Sequence, residues 1–411
     1  MKCWKERIFV TGVKEGALNG IRVIELGSLL AGPFCCRILA DFGAEVIKIE
    51  QPEEGDILRV WGHVKYDGHS LLWPIQARNK KCVTLNLRLP EGQELLKRLI
   101  AESDVVVENF RPGTLEKWNL GYEEMSRINP GIILTRISGY GQTGPYKERA
   151  GFGSAAGAMS GLRYLTGYPD RPPTRVGISV EDSTASLFGV IGTLMALNHR
   201  NKTGKGQCID VALHEAVFAL MESITTEYFK VGSIRERTGS TLPGVAPSNI
   251  YWTKDEKWVL IAGNADNVFR RLAAAMGKPE LAEDERFKSH TARGNNAEAI
   301  DGIVNDWTKD RAMDEILEIL DKAGVPAAAI YNAADIAKDP HYLAREMILS
   351  VVDPELGELK VPGIIPKLSL TPGEVKWTGP RSKGEHNEDV FSGVLELSKE
   401  ELDQYKARGV I

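Results

Sequence analysis

The stretch IRVIELGSLLAGPFCCRILADFGAEVIKIE (residues 21–50) decides the fold reading. Residues 21–26 are β-branched and aliphatic and end at Gly27, which reads as a short buried strand. From about Gly32 to Phe42 the apolar positions recur at helical spacing, and Glu45–Glu50 returns to a strand. A strand, a helix and a second strand in this order make a β-α-β unit, whose strands lie parallel and whose crossover is right-handed.

Glu50 closes the second strand about where dinucleotide-binding folds place the acid that holds a ribose. The turn, however, reads Gly27–Ser28–Leu29–Leu30–Ala31–Gly32 and not G-x-G-x-x-G. It lacks the glycine that lets backbone approach a pyrophosphate, so a nicotinamide cofactor is not expected.

The alternation continues outward from this unit. After a loop through Pro52–Trp73 come a strand at Cys82–Leu87, a helix from about Pro90 to Ala101 and a strand at Val105–Glu108. A helix near Thr114–Trp118, a strand at Gly131–Ile137 and a later strand at Cys208–Ala212 extend the pattern. The fold class is therefore α/β, with a Rossmann-like large domain built on a parallel sheet. From about Ser223 to Ala329 the texture changes. GSTLPGVAP is a turn cluster, and Asn249–Trp252 with Trp258–Ala262 reads as a hairpin. Helices at about Asn267–Met276, Glu298–Asp306 and Asp310–Ala323 complete a smaller α+β domain, 223–329. The tail from Pro340 is rich in Pro and Gly and cannot form a third core.

A chain of 411 residues with 43% apolar and 26% charged residues reads as a soluble protein of two domains. Its net charge of −5 and its scattered lysines and arginines give no basic stripe for nucleic acid. The five cysteines contain no C-x-x-C pair. Cys35, Cys36, Cys82 and Cys208 lie in or beside apolar elements and are expected to be buried and unreactive. Residues 1–20 match neither a signal nor a transit peptide. No apolar run reaches the roughly 20 residues of a membrane span. A cytoplasmic location without a membrane partner is expected.

A second stretch, GISVEDSTASLFGVIGTLMALNHR (177–200), carries the chemistry. Glu181 and Asp182 form a polar turn before Ser183–Thr184–Ala185. Then Leu187, Phe188, Ile191, Leu194, Met195 and Leu197 recur at helical spacing. Spacing alone leaves two readings of Asp182: a helix N-cap, or a reacting carboxylate kept ionised by the helix start. Other catalytic patterns fail. His214–Glu215 starts like a zincin, but Phe218 stands where the second His ligand is needed. Gly204–Lys205 is not a P-loop, there is no G-x-S-x-G elbow, and the histidines show no metal-ligand spacing.

Taken with Ala31–Gly32–Pro33, Val46–Glu50, Asn79–Lys80–Lys81, Glu108–Asn109–Phe110 and Thr203–Gln207, this stretch resembles the family III CoA-transferases. The resemblance runs from about Gly20 to the C-terminus, in the family's order and spacing. It implies that Asp182, and not its neighbour Glu181, is the nucleophile. Coenzyme A would enter as an acyl-CoA substrate, with no permanently bound cofactor and no metal. Leu29, Leu30 and Ala31 would lie along its nucleotide or pantetheine, Asn79 and Lys81 would face the phosphates, and Asn109, Phe110 and Arg111 would take part of the adenosine and pantetheine. Tyr140 joins the CoA-binding set from the glycine-containing segment Ser138–Gly144, whose backbone N–H groups, like those of Leu242–Pro247, suit an oxyanion. Some members carry Arg where this chain has Gln51, and a glycine run where it has Pro243–Pro247.

The same resemblance implies that residues 330–411 return to the large domain, 1–222, and that two subunits interlock as an intertwined dimer. The partner is a second copy or a related chain. The family also includes 2-methylacyl-CoA racemases. These carry Gly-His-Asp where this chain has Gly151–Phe152–Gly153, so both ionisable groups of a racemase are missing here. A non-catalytic CoA-binding subunit is a further alternative, opposed by the intact Asp182. The texture of RAGFGSAAGAMSGL and SGYGQTGPY is similar to transferases using succinyl-CoA or another dicarboxylyl-CoA. The acceptor is then a small carboxylic acid: malate, a glutarate or a substituted succinate.

Overall fold

A computed structural model of the chain describes residues 15–411. Cys3 and most of the segment read for a leader lie outside the described residues. Six strands form one sheet: β1 (Arg22–Glu25), β2 (Glu45–Glu50), β3 (Lys80–Thr84), β4 (Val105–Glu108), β5 (Ile133–Ser138) and β6 (Cys208–Ala212). Their order is β3-β2-β1-β4-β5-β6, and every neighbouring pair is parallel. This is the strand order of doubly wound nucleotide-binding sheets.

Helices cover both faces, so the central strands are apolar without alternation. Val23 and Ile24 are adjacent and both fully buried, one in each of two cores. Ile24 packs with Ile47, Leu95, Leu99 and, from the end of the chain, Phe391 and Val410. Val23 packs with Cys35, Leu39, Ala185 and Leu197. Helix α1 (Ala31–Asp41) follows β1, and α2 (Pro90–Ala101) follows β3. Pro90 opens α2 at a position that needs no N–H donor, while Glu91 and Arg98 sit at its complementary ends. Leu95, Leu96, Leu99 and Ile100 form its buried stripe. Helices α3 (Gly153–Met159), α4 (Val180–Thr203) and α5 (Leu213–Phe218) complete the parts that concern the site.

Helix α4 departs from the sequence reading at its start. Its N-cap is Ser179, so Glu181 and Asp182 occupy the second and third helical positions, inside the first turn. The capping reading of Asp182 is thereby removed. The apolar residues that mark the helix in sequence are also on the wrong side for a core: Leu187, Ile191, Leu194 and Met195 are exposed. The buried side carries Thr184, Ala185, Ser186, Gly189, Val190, Thr193, Ala196 and Leu197. Small residues are needed there. A Cβ on Gly189 would meet Ile137 Cδ1 at 3.2 Å and Cys35 Sγ at 3.3 Å, and one on Gly192 would meet Ile209 Cγ2 at 2.9 Å. By length and composition alone, α4 is long and apolar enough to cross a membrane. Half of its apolar stretch is nevertheless buried inside the protein.

Contacts divide the chain into two compact units. One takes the chain to Leu162, then Gly177–Glu222 and Ala344–Ile411; the other takes Arg163–Val176 and Ser223–Leu343. The second unit therefore starts earlier and ends later than 223–329. The Tyr164 hydroxyl donates to Glu236, Arg237 donates to the Tyr164 carbonyl, and the Gly239 N–H donates to the Gly167 carbonyl. These bonds tie 163–176 to the segment after Ser223. At the other end, the Ile330 N–H still donates to Trp258.

Within the smaller unit, strands β7 (Ser248–Trp252), β8 (Trp258–Ala262) and β9 (Ala327–Ala329) form an antiparallel sheet in the order β9-β8-β7. Val259, Ile261, Phe269, Leu272, Val304, Ile316 and Leu320 make its core. Arg293, fully buried, donates to the carbonyls of Ala246, Phe287 and Asn264 and pairs with Asp266, which holds the Leu242–Pro247 segment from within the unit.

In the larger unit, the C-terminal strap is pinned by a buried cluster. Arg78 donates twice to Asp41, at 2.8 and 2.6 Å, and once to the Pro362 carbonyl at 2.8 Å. Removing one partner of such a pair strands the other charge in the interior. Asp41→Asn is expected to lower the stability of this unit by about 3–5 kcal/mol in urea unfolding followed by circular dichroism. The apolar double replacement Asp41→Leu with Arg78→Met should lose less. An equal loss for both would show that the charge pair is not what Asn disrupts.

Candidate active site

The sheet reverses its winding between β1 and β4, and open α/β sheets bind ligands outside the carboxyl ends of the strands at that point. Two loops meet there. The Ser28 N–H donates to Asn109 Oδ1 at 2.8 Å, and Asn109 Nδ2 donates to the Ser28 carbonyl at 2.9 Å. Within the first loop, Gly27 and Gly32 nearly touch: a Cβ on Gly27 would lie 2.9 Å from Gly32 Cα. Leu29 stands at φ +65°, a left-handed conformation that L side chains rarely adopt, and its N–H donates to Asp56 Oδ1 at 3.3 Å. Leu30 is the N-cap of α1, whose first turn carries no acid of its own, so the positive helix end is uncompensated by the chain. Phe110 packs edge-on against Trp118 at 5.5 Å, and exposed Arg111 donates to the Glu148 carbonyl at 3.1 Å.

Asp182 approaches this loop through its own helix. The Ser186 hydroxyl, one turn on, lies 2.7 Å from both the Ala31 carbonyl and the Asp182 carbonyl. One side chain thus ties the start of α4 to the start of α1. Asp182 is half-buried, whereas Glu181 is buried and lies over Gly157. A Cβ on Gly153 would sit 2.6 Å from Asp182 Oδ2, so only glycine leaves the carboxylate its place. The Ser138–Gly144 segment folds up to the same region. Gly139 and Gly151 approach so closely that a Cβ on Gly139 would lie 2.8 Å from Gly151 Cα. Tyr140 packs between His214, at 5.8 Å, and Tyr146, at 6.1 Å, and His214 Nδ1 bonds the Gly139 carbonyl at 3.2 Å.

Leu29, Leu30, Ala31, Asn109, Phe110, Arg111, Tyr140 and Asp182 are therefore linked by a continuous set of contacts in one unit. Asn79 and Lys81 are not among them. Both lie at the amino end of β3, away from the carboxyl-end loops. Asn79 is buried and donates to Asp41 and to the Glu374 carbonyl while accepting from the Lys376 N–H. Lys81 pairs with Glu45 at 3.0 Å and Asp389 at 2.9 Å. Asn79 fastens the strap and Lys81 the helix Asn387–Leu395, which corrects the expectation that they face phosphates. Glu50, the apparent ribose acid, accepts two hydrogen bonds from Arg59 and one from the Asp56 N–H.

Burial pushes the Cys35 thiol up to about 12, with nearby Glu25 adding to the shift, and raises Cys36 and Cys82 well above the ordinary value. Cys208 departs from expectation in being exposed, although partial burial still pushes its thiol up to about 11. Ser186 and Asp56 escaped the sequence reading, and Gly153 entered it only as a position where racemases carry an acid. Only Ser186 left a signal, since it lies four residues from Asp182 and shares its helix face.

A carboxylate on a helix packed against the ligand crevice of a doubly wound sheet suits acyl transfer through a covalent carboxyl intermediate. The chain belongs to CoA-transferase family III, whose model matches residues 18–387. It is a CoA-transferase. Over 394 residues it is 53% identical to the succinyl-CoA–D-citramalate CoA-transferase of Chloroflexus aurantiacus, spanning 96% of this chain and 98% of that protein. It is 43% identical over 397 residues to the succinyl-CoA–L-malate CoA-transferase beta subunit of the same organism, with 96% and 98% covered. Among solved structures, a CAIB/BAIF family protein from Brucella suis superposes with a TM-score of 0.82 at 36% identity, covering 92% of this chain and 100% of that one.

The contact at Gly153 makes a sharp prediction. Gly153→Ala must displace the short Asp182 carboxylate, and a misplacement near 1 Å can cost about 100-fold in rate. Turnover of acyl-CoA should fall by at least about 10-fold with the melting temperature within a few degrees of the parent. Gly157→Ala meets the Glu181 side chain and not Asp182, and should lose less. Parental turnover in Gly153→Ala would show that the carboxylate does not need this position.

Proposed function

We propose that the enzyme moves CoA from succinyl-CoA, or another dicarboxylyl-CoA, to a small hydroxylated dicarboxylic acid such as citramalate or malate, with Asp182 as the nucleophile. The observation that carries the mechanism is the Asp182 carboxylate, accessible in the first turn of α4 and stitched through Ser186 to the Ala31 loop. The substrate reading is supported by the names of the two Chloroflexus relatives.

In the first step an Asp182 oxygen attacks the thioester carbonyl, and CoA leaves as a thiolate, giving a mixed anhydride. The thiolate attacks the aspartyl carbonyl and the donor acid departs, leaving an aspartyl-CoA thioester. The acceptor carboxylate then attacks that thioester, forming a second anhydride and releasing thiolate again. Attack of the thiolate on the acceptor acyl carbon forms the new acyl-CoA and frees Asp182. Each addition develops an oxyanion that needs N–H donors. Gly141 and Gln142 already donate to Ser138 and Asp210, so we assign the donors to the Gly139–Tyr140 part of the segment.

A racemase would require a base and an acid flanking the α-carbon. Phe152 and Gly153 supply neither, which favours transfer. A purely CoA-binding subunit would have no use for an accessible Asp182 beside a glycine that makes room for it. The exposed apolar side of α4, Leu187, Ile191, Leu194 and Met195, supports an intertwined homodimer in which the second copy covers these residues; the cytoplasm is its proposed location. Sedimentation should give a dimer at micromolar concentration. A monomer that dimerises only when a related chain is added would mean a heterodimer instead.

Incubated with succinyl-CoA and hydroxylamine, the parent should yield an Asp182 hydroxamate detectable by peptide mass. Asp182→Asn keeps the size of the side chain but removes the anion. Exchange should then fall by about three orders of magnitude or more while CoA binding persists. A label on Glu181, or parental exchange by Asp182→Asn, would overturn the assignment.

A further inference from the structure

Beneath the turn that follows β1 lies a cluster of charges with almost no access to water. Lys48 Nζ sits 2.8 Å from Glu25 Oε1, 2.6 Å from Asp56 Oδ2 and 2.9 Å from the Gly27 carbonyl. Lys80 Nζ pairs with the other Glu25 oxygen at 2.6 Å and donates to the Pro33 carbonyl at 2.8 Å. Asp56 Oδ1 accepts from the Leu58 N–H at 2.8 Å and the Leu29 N–H at 3.3 Å. Its own N–H donates to Glu50, which Arg59 grips with two nitrogens. Glu25, Lys48, Glu50, Asp56 and Lys80 are all at least 96% buried.

Buried ion pairs are weak contributors to stability compared with apolar residues of the same size. Their distribution here points to another purpose. Lys48 takes the carbonyl at the start of the turn, Asp56 takes the N–H of the left-handed Leu29, and Lys80 takes a carbonyl in the first turn of α1. The cluster therefore holds Gly27, Leu29 and Pro33, spanning both ends of the turn. Leu29 is held at a positive φ that an unrestrained leucine would leave. Burial alone would discharge both Lys48 and Asp56. The neighbouring carboxylates nevertheless raise the Lys48 ammonium above its ordinary range. Lys48 and the two N–H donors lower the Asp56 carboxyl below its own. The pair thus stays charged across neutral pH.

We propose that Asp56, held by Lys48, is a positioning residue for acyl-CoA: it keeps the Gly27–Ala31 turn in the shape that receives the CoA moiety, without touching substrate or Asp182. This rests on the reading of that turn as the CoA-handling loop. Neither residue lies in the set that the sequence pattern assigned to CoA.

The test uses the full-length enzyme and three readouts: the Kd for free CoA, the KM values for succinyl-CoA and for the acceptor acid, and kcat. Asp56→Ala removes both the tether on Leu29 and the partner of Lys48. CoA affinity should weaken about 10-fold and the succinyl-CoA KM should rise in step, with the acceptor KM and kcat within about 3-fold of the parent. Asp56→Asn keeps Oδ1 as acceptor for Leu29 and Leu58 but not the charge, and should weaken CoA only about 3-fold. If Asp56→Ala fails to fold, that smaller shift in the folded Asn variant decides. Parental CoA affinity in the folded variants would overturn the proposal. So would a donor and acceptor KM that rise together, or a loss confined to the melting temperature. If instead the parent itself does not bind CoA, the loop reading fails before either variant is measured.

Discussion

Helix α4 lies so close to the sheet that only small side chains fit between them. Gly189 rests on Ile137 and Cys35, Gly192 on Ile209, and the Thr193 hydroxyl meets that of Thr135 at 2.7 Å in the interior. This approach brings Ser186 within reach of the Ala31 carbonyl and so sets the first turn of α4, with Asp182, beside the first turn of α1. A leucine at 189 would lift the helix and with it the carboxylate. The same constraint sends Leu187, Ile191, Leu194 and Met195 outward, where they are exposed.

The turn after β1 and the segment after β2 answer a related difficulty. A parallel sheet buried on both faces has no room for charge except where charges pair. Here Glu25, Lys48, Lys80, Asp56, Glu50 and Arg59 balance one another; Lys48, Asp56 and Lys80 spend spare bonding capacity on backbone groups of the turn and the start of α1, and Arg59 on the Pro380 and Arg381 carbonyls. Glu50 illustrates how position in sequence can mislead: it stands where a ribose acid stands, yet its oxygens are occupied by Arg59 and the Asp56 N–H. The long C-terminal strap is fixed in the same currency of polar contacts, through Arg78, Asn79 and Trp377, whose indole N–H donates to the Lys80 carbonyl.

Several features were legible in the residues alone, because they depend on local periodicity. The β-branched runs at 21–26 and 105–108 announce strands buried on both faces, and the pattern from Pro90 to Ala101 announces a helix with one apolar stripe. Their alternation dictates a parallel α/β sheet. The missing middle glycine of the first turn argues against a nicotinamide site, and the motif order points to a CoA-transferase. Tertiary structure alone decided what depends on contacts between distant segments. That Asp182 lies inside a helical turn and not at its cap follows from where the chain leaves Ser179. That Asn79 and Lys81 serve the strap follows from residues 374–389, about 300 positions away. That α4 turns its leucines outward follows from the closeness of the sheet, since helical spacing marks a stripe without saying which stripe is buried. Periodicity is a property of neighbours along the chain, whereas the placing of a charge or a face is settled by whatever the fold packs against it.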